Sequence, residues 1–297
     1  MMGSPVTLTS SGSVEYGPDV PLPTQDYWVG HAIREVNSTY GDIVSVDAKK
    51  KSLIKFGKTL QANDGVRTTV GIFQDAVVNE TFAAGNTVDS LVSTSGSDTG
   101  IVTVEGLTMD GSGNLTFVSQ DVTATGQTRA ALGTPLARPT RMYIKDGTFA
   151  VPAVANVGNI AVYDNAANSG LTAGKPDTDA SVKMILVAGI NQTQKCATSI
   201  SSTDYWFISE VYASVTRGSP QSAKVNIEVE YKQVGGVWRP LGFEMNLDQA
   251  SGPHMHDEMR PFFIIPKNSD VRMIAISDTA STIVSGYIGG VLAKVTG

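Results

Sequence analysis

A single cysteine, Cys196, leaves the chain without any intrachain disulfide framework. Small disulfide-stapled scaffolds are thereby excluded, and synthesis in a reducing cytoplasm fits. Charged residues are only 17% of the total, below the usual quarter or so, and the Glu-, Lys- and Leu-rich runs of long helices are missing. The net charge is −6 and no basic tract occurs, which argues against nucleic acid as a partner because phosphate neutralisation needs clustered Lys or Arg. No apolar run approaches the ~20 residues of a membrane helix, and residues 1–30 lack the charged-then-apolar order of a signal peptide. The expectation is a soluble protein made in a cytoplasm, with no membrane partner. Aromatic residues are scarce at 7%, with Trp28, Trp206 and Trp238 scattered, so a sugar-stacking cleft is disfavoured.

What is abundant is short strand-like runs punctuated by turn residues. Val225, Ile227, Val229 and Tyr231 alternate with Asn226, Glu228, Glu230 and Lys232, giving one apolar and one wet face. Gly235-Gly236 turns this run back. Tyr205 to Val215 predicts a long strand burying Phe207, Val211, Ala213 and Val215. Further strands are expected near Leu53–Gly57, Val66–Ile72, Thr87–Val92, Gly100–Leu107, Leu115–Val118, Phe262–Pro266, Ser269–Ile276 and Ile283–Leu292. Asp110-Gly111-Ser112-Gly113-Asn114 is a hairpin turn by composition, since these residues accept positive φ. A second hairpin is expected between Val122–Thr128 and Arg129–Leu132.

The fold class that follows is all-β: an N-terminal β module plus a C-terminal antiparallel β-sandwich or jelly roll, preceded by an extended arm. Residues 1–24 form the arm, rich in Ser, Gly and Pro. Residues 25–155 form the first module, opening with a short helix around Trp28, Ile33 and Val36. Residues 156–180 read as a linker region, and 181–297 as the sandwich. An arm of this composition is disordered in an isolated domain or ordered by lying on a neighbour in an assembly, and the second reading makes Val20, Pro21, Leu22, Pro23 and Trp28 the partner-binding candidates.

Catalytic chemistry finds little to stand on. His254 and His256 alternate and would share a strand face, with Asp257 or Glu258 adding oxygen ligands, but the other histidine, His31, is remote. A polar loop between strands is the plainer reading, with His254 and His256 kept as weak metal candidates. Asp110 to Asn114 lacks the closing glutamate of a calcium loop. Cys196 has no catalytic signature around it, and no Gly-x-Ser-x-Gly elbow occurs. The expectation is no catalytic residue, no cofactor and no enzyme activity.

Several stretches resemble a recurrent module of tailed-bacteriophage virion structural proteins. They are Leu53 to Lys58, then Val102 to Leu107 with Asp110 to Asn114, Thr125 to Thr128, and Thr134 to Arg138. Ile265 to Arg272 and Ser285 to Gly290 are similar to the end of the same proteins. The resemblance implies a non-enzymatic virion component, β-rich and capsid decoration (cement)-like. It implies a location on the capsid surface after synthesis in the host cytoplasm, with the major capsid protein and copies of itself, as a homotrimer, for partners. A tail or fibre adhesin binding a host surface glycan is the alternative, and would offer an exposed aromatic groove near Trp238 or Tyr231.

Overall fold

The computed structural model describes residues 51–62, 68–71, 80, 82–149, 155–216, 223–250, 252, 254–279 and 281–294. The arm, with Val20, Pro21, Leu22 and Pro23, and the short helix expected around Trp28 lie outside the described residues. The protein is all-β; one 3-10 turn, Asp179–Ser181, is the helical piece among the described residues. The strands begin with β1 (Lys51–Ala62), β2 (Thr68–Thr69), β3 (Val88–Ser93), β4 (Ile101–Met109), β5 (Leu115–Thr123) and β6 (Ala130–Leu136). Then come β7 (Arg138–Ile144), β8 (Ile160–Tyr163), β9 (Leu171–Thr172), β10 (Lys175–Pro176), β11 (Val182–Leu186) and β12 (Ala197–Ser199). The last are β13 (Asp204–Thr216), β14 (Lys224–Gln233), β15 (Arg239–Asp248), β16 (His254–Ile265), β17 (Ser269–Ser277) and β18 (Thr282–Lys294).

These strands make two sandwiches, one inserted into the other. The terminal sandwich packs sheet I, in the order β1-β18-β13-β16, on sheet II, in the order β12-β17-β14-β15. Trp206, Ile208, Val211, Ile227, Val229, Met245, Val271, Met273 and Ile288 fill the space between them. The inserted sandwich packs sheet III, β11-β8-β3-β6, on sheet IV, β5-β4-β7, around Leu91, Val104, Leu136, Met142, Ile160 and Met184. The short β9–β10 hairpin lends Leu171 to the outer side of sheet III.

Two sequence expectations about organisation are revised by this nesting. Residues 51–62, assigned to the first module, form the edge of the C-terminal sandwich, with Lys51 opposite Leu292 and Ala62 opposite Thr282. Residues 156–180, expected to link two modules, instead carry β8, fully buried between β3 and β11. The second expected hairpin is also absent. β5 belongs to sheet IV and β6 to sheet III, because Val122, Ala124, Ala130 and Leu132 all bury in the core between those sheets. Gly126 makes the corner: φ is +65°, its amide donates to the Asp98 carbonyl, and its carbonyl accepts from Ser93.

Within the terminal sandwich, the expected alternation along β14 holds for Val225, Ile227 and Val229, which are buried. It fails at Glu230, expected on the wet face but only 5% exposed. On β13 the expected face is wrong by one residue in its first half. The pairing with β18 shifts between Ile208 and Glu210, a β-bulge that places one extra residue in β13. Trp206 and Ile208 therefore join Val211, Ala213 and Val215 in the core, and Phe207 turns to the other side of sheet I.

Close packing at β1 gives a direct check. A Cβ at Gly57 would collide with the Val70 carbonyl and lie 2.5 Å from the Cys196 amide nitrogen, whereas Gly85 has nothing within 4 Å. Gly57→Ala should lower stability by about 1–3 kcal/mol. Gly85→Ala should change it by no more than about 0.5 kcal/mol. Urea unfolding of the two variants measures the difference.

Candidate functional site: a buried charged seam

The chain leaves the inserted sandwich along residues 191–199, and this segment ties the two sandwiches together. Ile144 donates to the Asn191 carbonyl and Thr193 to the Met142 carbonyl, so the segment first follows β7. It then becomes β12, where Ala197 and Ser199 stand opposite Arg272 and Asp270 of β17. Between them, Cys196 donates to the Val70 carbonyl at 2.7 Å, and β2 continues along the same edge of β17. The route forces polar side chains of β7, β12, β14 and β17 into one buried seam.

Three carboxylates and five basic groups meet there. Arg138 Nε of β7 lies 2.8 Å from Asp270 Oδ1 of β17, and both side chains are almost fully enclosed. Ser199 Oγ donates to the same carboxylate at 2.6 Å, and Lys232 Nζ stands 3.7 Å from its other oxygen. Arg272 pairs with Glu230 at 2.9 Å, which explains the buried glutamate on the face expected to be wet. Lys195 pairs with Glu80 at 2.6 Å and also donates to the Pro139 carbonyl. Lys55 of β1 donates to the Thr140 carbonyl at 3.0 Å.

The backbone near residue 80 closes the seam. Arg272 Nη1 donates to the Glu80 carbonyl at 2.6 Å, and Arg138 donates to the Ala83 carbonyl. Phe82, held at a φ of 53°, places its ring 5.3 Å from the Arg138 guanidinium carbon and 5.5 Å from Lys195 Nζ. Trp238 is stacked on Arg272, with the guanidinium carbon 3.8 Å from the ring centre, and Lys232 lies 4.9 Å away. The aromatic faces at this end thus cover cations of the protein itself.

Charge and burial act against each other here. Burial, reinforced by the nearby Lys195 charge, pulls the Lys55 ammonium down to about 7. Burial would raise the Glu80 carboxyl, but the charge and hydrogen bond of Lys195 outweigh it and hold the group below its ordinary value. Ion pairs taken out of water add little net stability, yet removing one partner strands the other. The seam therefore specifies how the two sandwiches dock more than it strengthens the fold.

The sequence candidates fall elsewhere. His254 and His256 lie on β16, with backbone positions opposite Ser214 and Tyr212, and not in the polar loop expected there; His254 is exposed. Among the described residues no group of three His, Cys, Asp or Glu could hold a metal ion. Asp110 accepts from the Ser112 and Asn114 amides and from Asn114 Nδ2, so its oxygens close the hairpin turn between β4 and β5. That turn docks on the terminal sandwich, where Asn268 Oδ1 accepts from Leu115 at 2.9 Å. Cys196 is buried, and burial pushes its thiol above the ordinary range, the reverse of what a nucleophile needs. A recess of about 580 Å3 opens at the ends of β14, β15 and β17, but Asp278 there already accepts from the Lys224 amide.

Sequence reasoning missed the seam although a signal was present. Asp270 and Arg272 interrupt Val271, Met273 and Ile274 on a strand buried on both faces, and charges in such a strand require partners.

No protein-family model matches the chain, and no curated protein matches it. Among solved structures, an infectious bursal disease virus Gx strain structure aligns at 10% identity over 85% of this chain and 74% of that one, with a TM-score of 0.22. The VP2 subviral particle of infectious bursal disease virus aligns at 10% identity over 90% and 78%, with a TM-score of 0.20. A tandem CBM22 domain from Paenibacillus barcinonensis Xyn10C aligns at 11% identity over 85% and 95%, with a TM-score of 0.19. Scores this low do not define a shared fold.

Two outcomes test the seam. Asp270→Ala, which strands Arg138, should cost about 3–5 kcal/mol, and the double replacement Arg138→Met with Asp270→Leu should cost less than the single one. Equilibrium unfolding of the variants compares them. The second outcome concerns pH. Folded Lys55 titrates near 7 against 10.5 for a solvated lysine, so between these values the unfolded chain binds more protons and stability rises with pH. Above about 9 Cys196 opposes this, because the unfolded thiol ionises first. From pH 7 to 9 stability should climb by up to about 1.4 kcal/mol per unit, and Lys55→Met should flatten the climb in urea titrations.

Proposed function

We propose that this chain is a non-enzymatic structural protein of a virus particle, a capsid decoration (cement) protein that binds major capsid subunits and stabilises the head. The observation that carries the reading is the use made of the reactive and recognition groups. Seam carboxylates pair with basic groups, Trp238 stacks on Arg272 and Cys196 is enclosed. What the described surface offers instead is strand edges and apolar side chains such as Ile54 and Phe56 on β1. Edges and apolar rows bind other proteins by strand addition and surface burial.

The phage-like stretches support the same reading through their positions. Leu53 to Lys58 lies in β1, Val102 to Leu107 in β4, and Ser285 to Gly290 in β18, all of them strands that frame the two sandwiches. The sequence pattern that resembles virion proteins is therefore a pattern of framework. A cement role also gives the seam a use, since a brace between capsid subunits must not flex at its own waist. Partners on this reading are the major capsid protein and two further copies of the chain, with residues 1–24 as the connecting arm. The glycan-binding alternative loses its best platform, because Trp238 already lies on Arg272 and Lys232.

Cryo-electron microscopy of the intact particle tests the location. Density for the chain on the capsid lattice, with its arm along a neighbouring subunit, is the expected result; density confined to the tail would overturn the cement reading. Removing residues 1–24 should abolish incorporation into particles while leaving the thermal transition of the sandwiches unchanged, and normal incorporation would take the arm out of the mechanism.

A further inference from the structure

The four sheets end in eight edge strands, and an edge with unpaired backbone groups is a place where another strand can add. Most of these edges are closed. Pro240 stands in β15 and Pro261 in β16, each beside an irregularity in the pairing. β12 is three residues long, and residues 191–193 line β7. Carbonyls of β11 accept from the side chains of Lys195 and Asn156. β6 contains Pro135, and the Gln120 side chain takes both backbone groups of Thr134 at 2.8 Å. β1 carries Lys51, Lys55 and Lys58, and its pairing shifts near its end. β5 has no proline, glycine or lysine.

Hydrogen bonds at the two ends of the β4–β5 ladder fix which groups of β5 are free. Asp110 donates to the Asn114 carbonyl and Ala124 to the Gly100 carbonyl, and the register between them is unbroken. Bonded pairs alternate along such a ladder. Residues 116, 118, 120 and 122 therefore face β4, and the odd-numbered ones turn their amides and carbonyls outward. Leu115 confirms the direction, since its amide donates to Asn268 Oδ1 and its carbonyl accepts from Ser202. The backbone groups of Phe117, Ser119, Asp121 and Thr123 have no such partner among the described residues. All four residues are exposed, Phe117 at 53%.

This edge is its own complement. In an antiparallel pair centred on Gln120, Phe117 faces Thr123 of the second copy and Ser119 faces Asp121 of the second copy, and each contact occurs twice. The outward amides and carbonyls of each copy then bond to those of the other. A ring lies beside a methyl group and a hydroxyl beside a carboxylate. Asp121 is also held by Thr103 Oγ1 at 2.7 Å and by Lys145, so the two carboxylates do not meet as bare charges. Moving the centre by one residue sets Asp121 against Asp121 in one direction and against Phe117 in the other.

We propose that β5 adds to β5 of a second copy of this chain, about a two-fold axis at Gln120. The two three-stranded sheets IV become one continuous sheet. The contact is isologous, with the same patch used on both copies. It stands apart from the capsid reading and from the three-fold association proposed with it, and depends on neither.

Sedimentation equilibrium of the full chain over a concentration series tests this with two variants. Ser119→Pro removes an outward amide that β4 does not use, and edge strands accept proline at such positions. It should weaken the dimer by at least about tenfold, whereas Ser119→Ala, which keeps the amide, should stay within about threefold of the unsubstituted chain. A chain that is monomeric at its highest soluble concentration, or a dimer indifferent to Ser119→Pro, would overturn the proposal. Amide hydrogen exchange of the unsubstituted chain gives a second measurement free of folding defects. Exchange at Phe117, Ser119, Asp121 and Thr123 should slow as concentration rises, while Val237, on the exposed β14–β15 hairpin, should not change. Exchange at the four amides that ignores concentration, or slows only when a different protein is added, would also overturn it.

Discussion

The pair between Arg138 and Asp270 joins the two halves of the molecule. Arg138 opens a strand of the inserted sandwich, and Asp270 sits near the start of a strand of the terminal one. Neither has water to fall back on, so each fixes the other's position. Around them, Lys195, Lys55 and Arg272 donate to backbone carbonyls of residues 139, 140 and 80, which supplies those carbonyls with partners where two sheets meet at their edges. Hydrophobic burial supplies the stabilising energy within each sandwich. The seam supplies the relation between them.

That relation also explains why the chain is nested. A module inserted between β2 and β12 enters and leaves close to one point, where Gly71 bridges Lys195, and the strands on either side of it must pair for the terminal sandwich to close. β1 does so on β18, and β2 and β12 share an edge of β17. Gly57 lets β1 approach Val70 and Cys196 closely enough for this closure. The excess of basic groups in the seam is the cost of the arrangement, and Lys55 bears it by giving up its proton more readily than an exposed lysine does.

Much of the local structure is legible in the sequence. The alternation of Val225, Ile227 and Val229, the turn at Asp110 to Asn114, and the all-β class follow from period and turn chemistry alone. The β13 bulge does not, since an apolar run from Tyr205 to Ile208 fits either face and nothing in it marks an extra residue. Nor does the pairing of β1 with β18, because two strands more than two hundred residues apart carry no local sign of each other. Glu230 misleads for a related reason: a charge in an alternating strand reads as solvated unless its partner, here Arg272 on the neighbouring strand, is known. The seam itself was half legible, in the charges that interrupt β17. The histidine stretch misleads: its composition reads as a polar loop, whereas residues 254–265 form strand β16.

The central claim is that the seam welds the two sandwiches into one cooperative unit. Differential scanning calorimetry of the full chain tests it most directly, through the ratio of the calorimetric to the van't Hoff enthalpy. A single transition with a ratio near one is the result this structure predicts. Two resolved transitions, one for each sandwich, would mean that the seam only places the modules side by side, and the brace built on it would be lost.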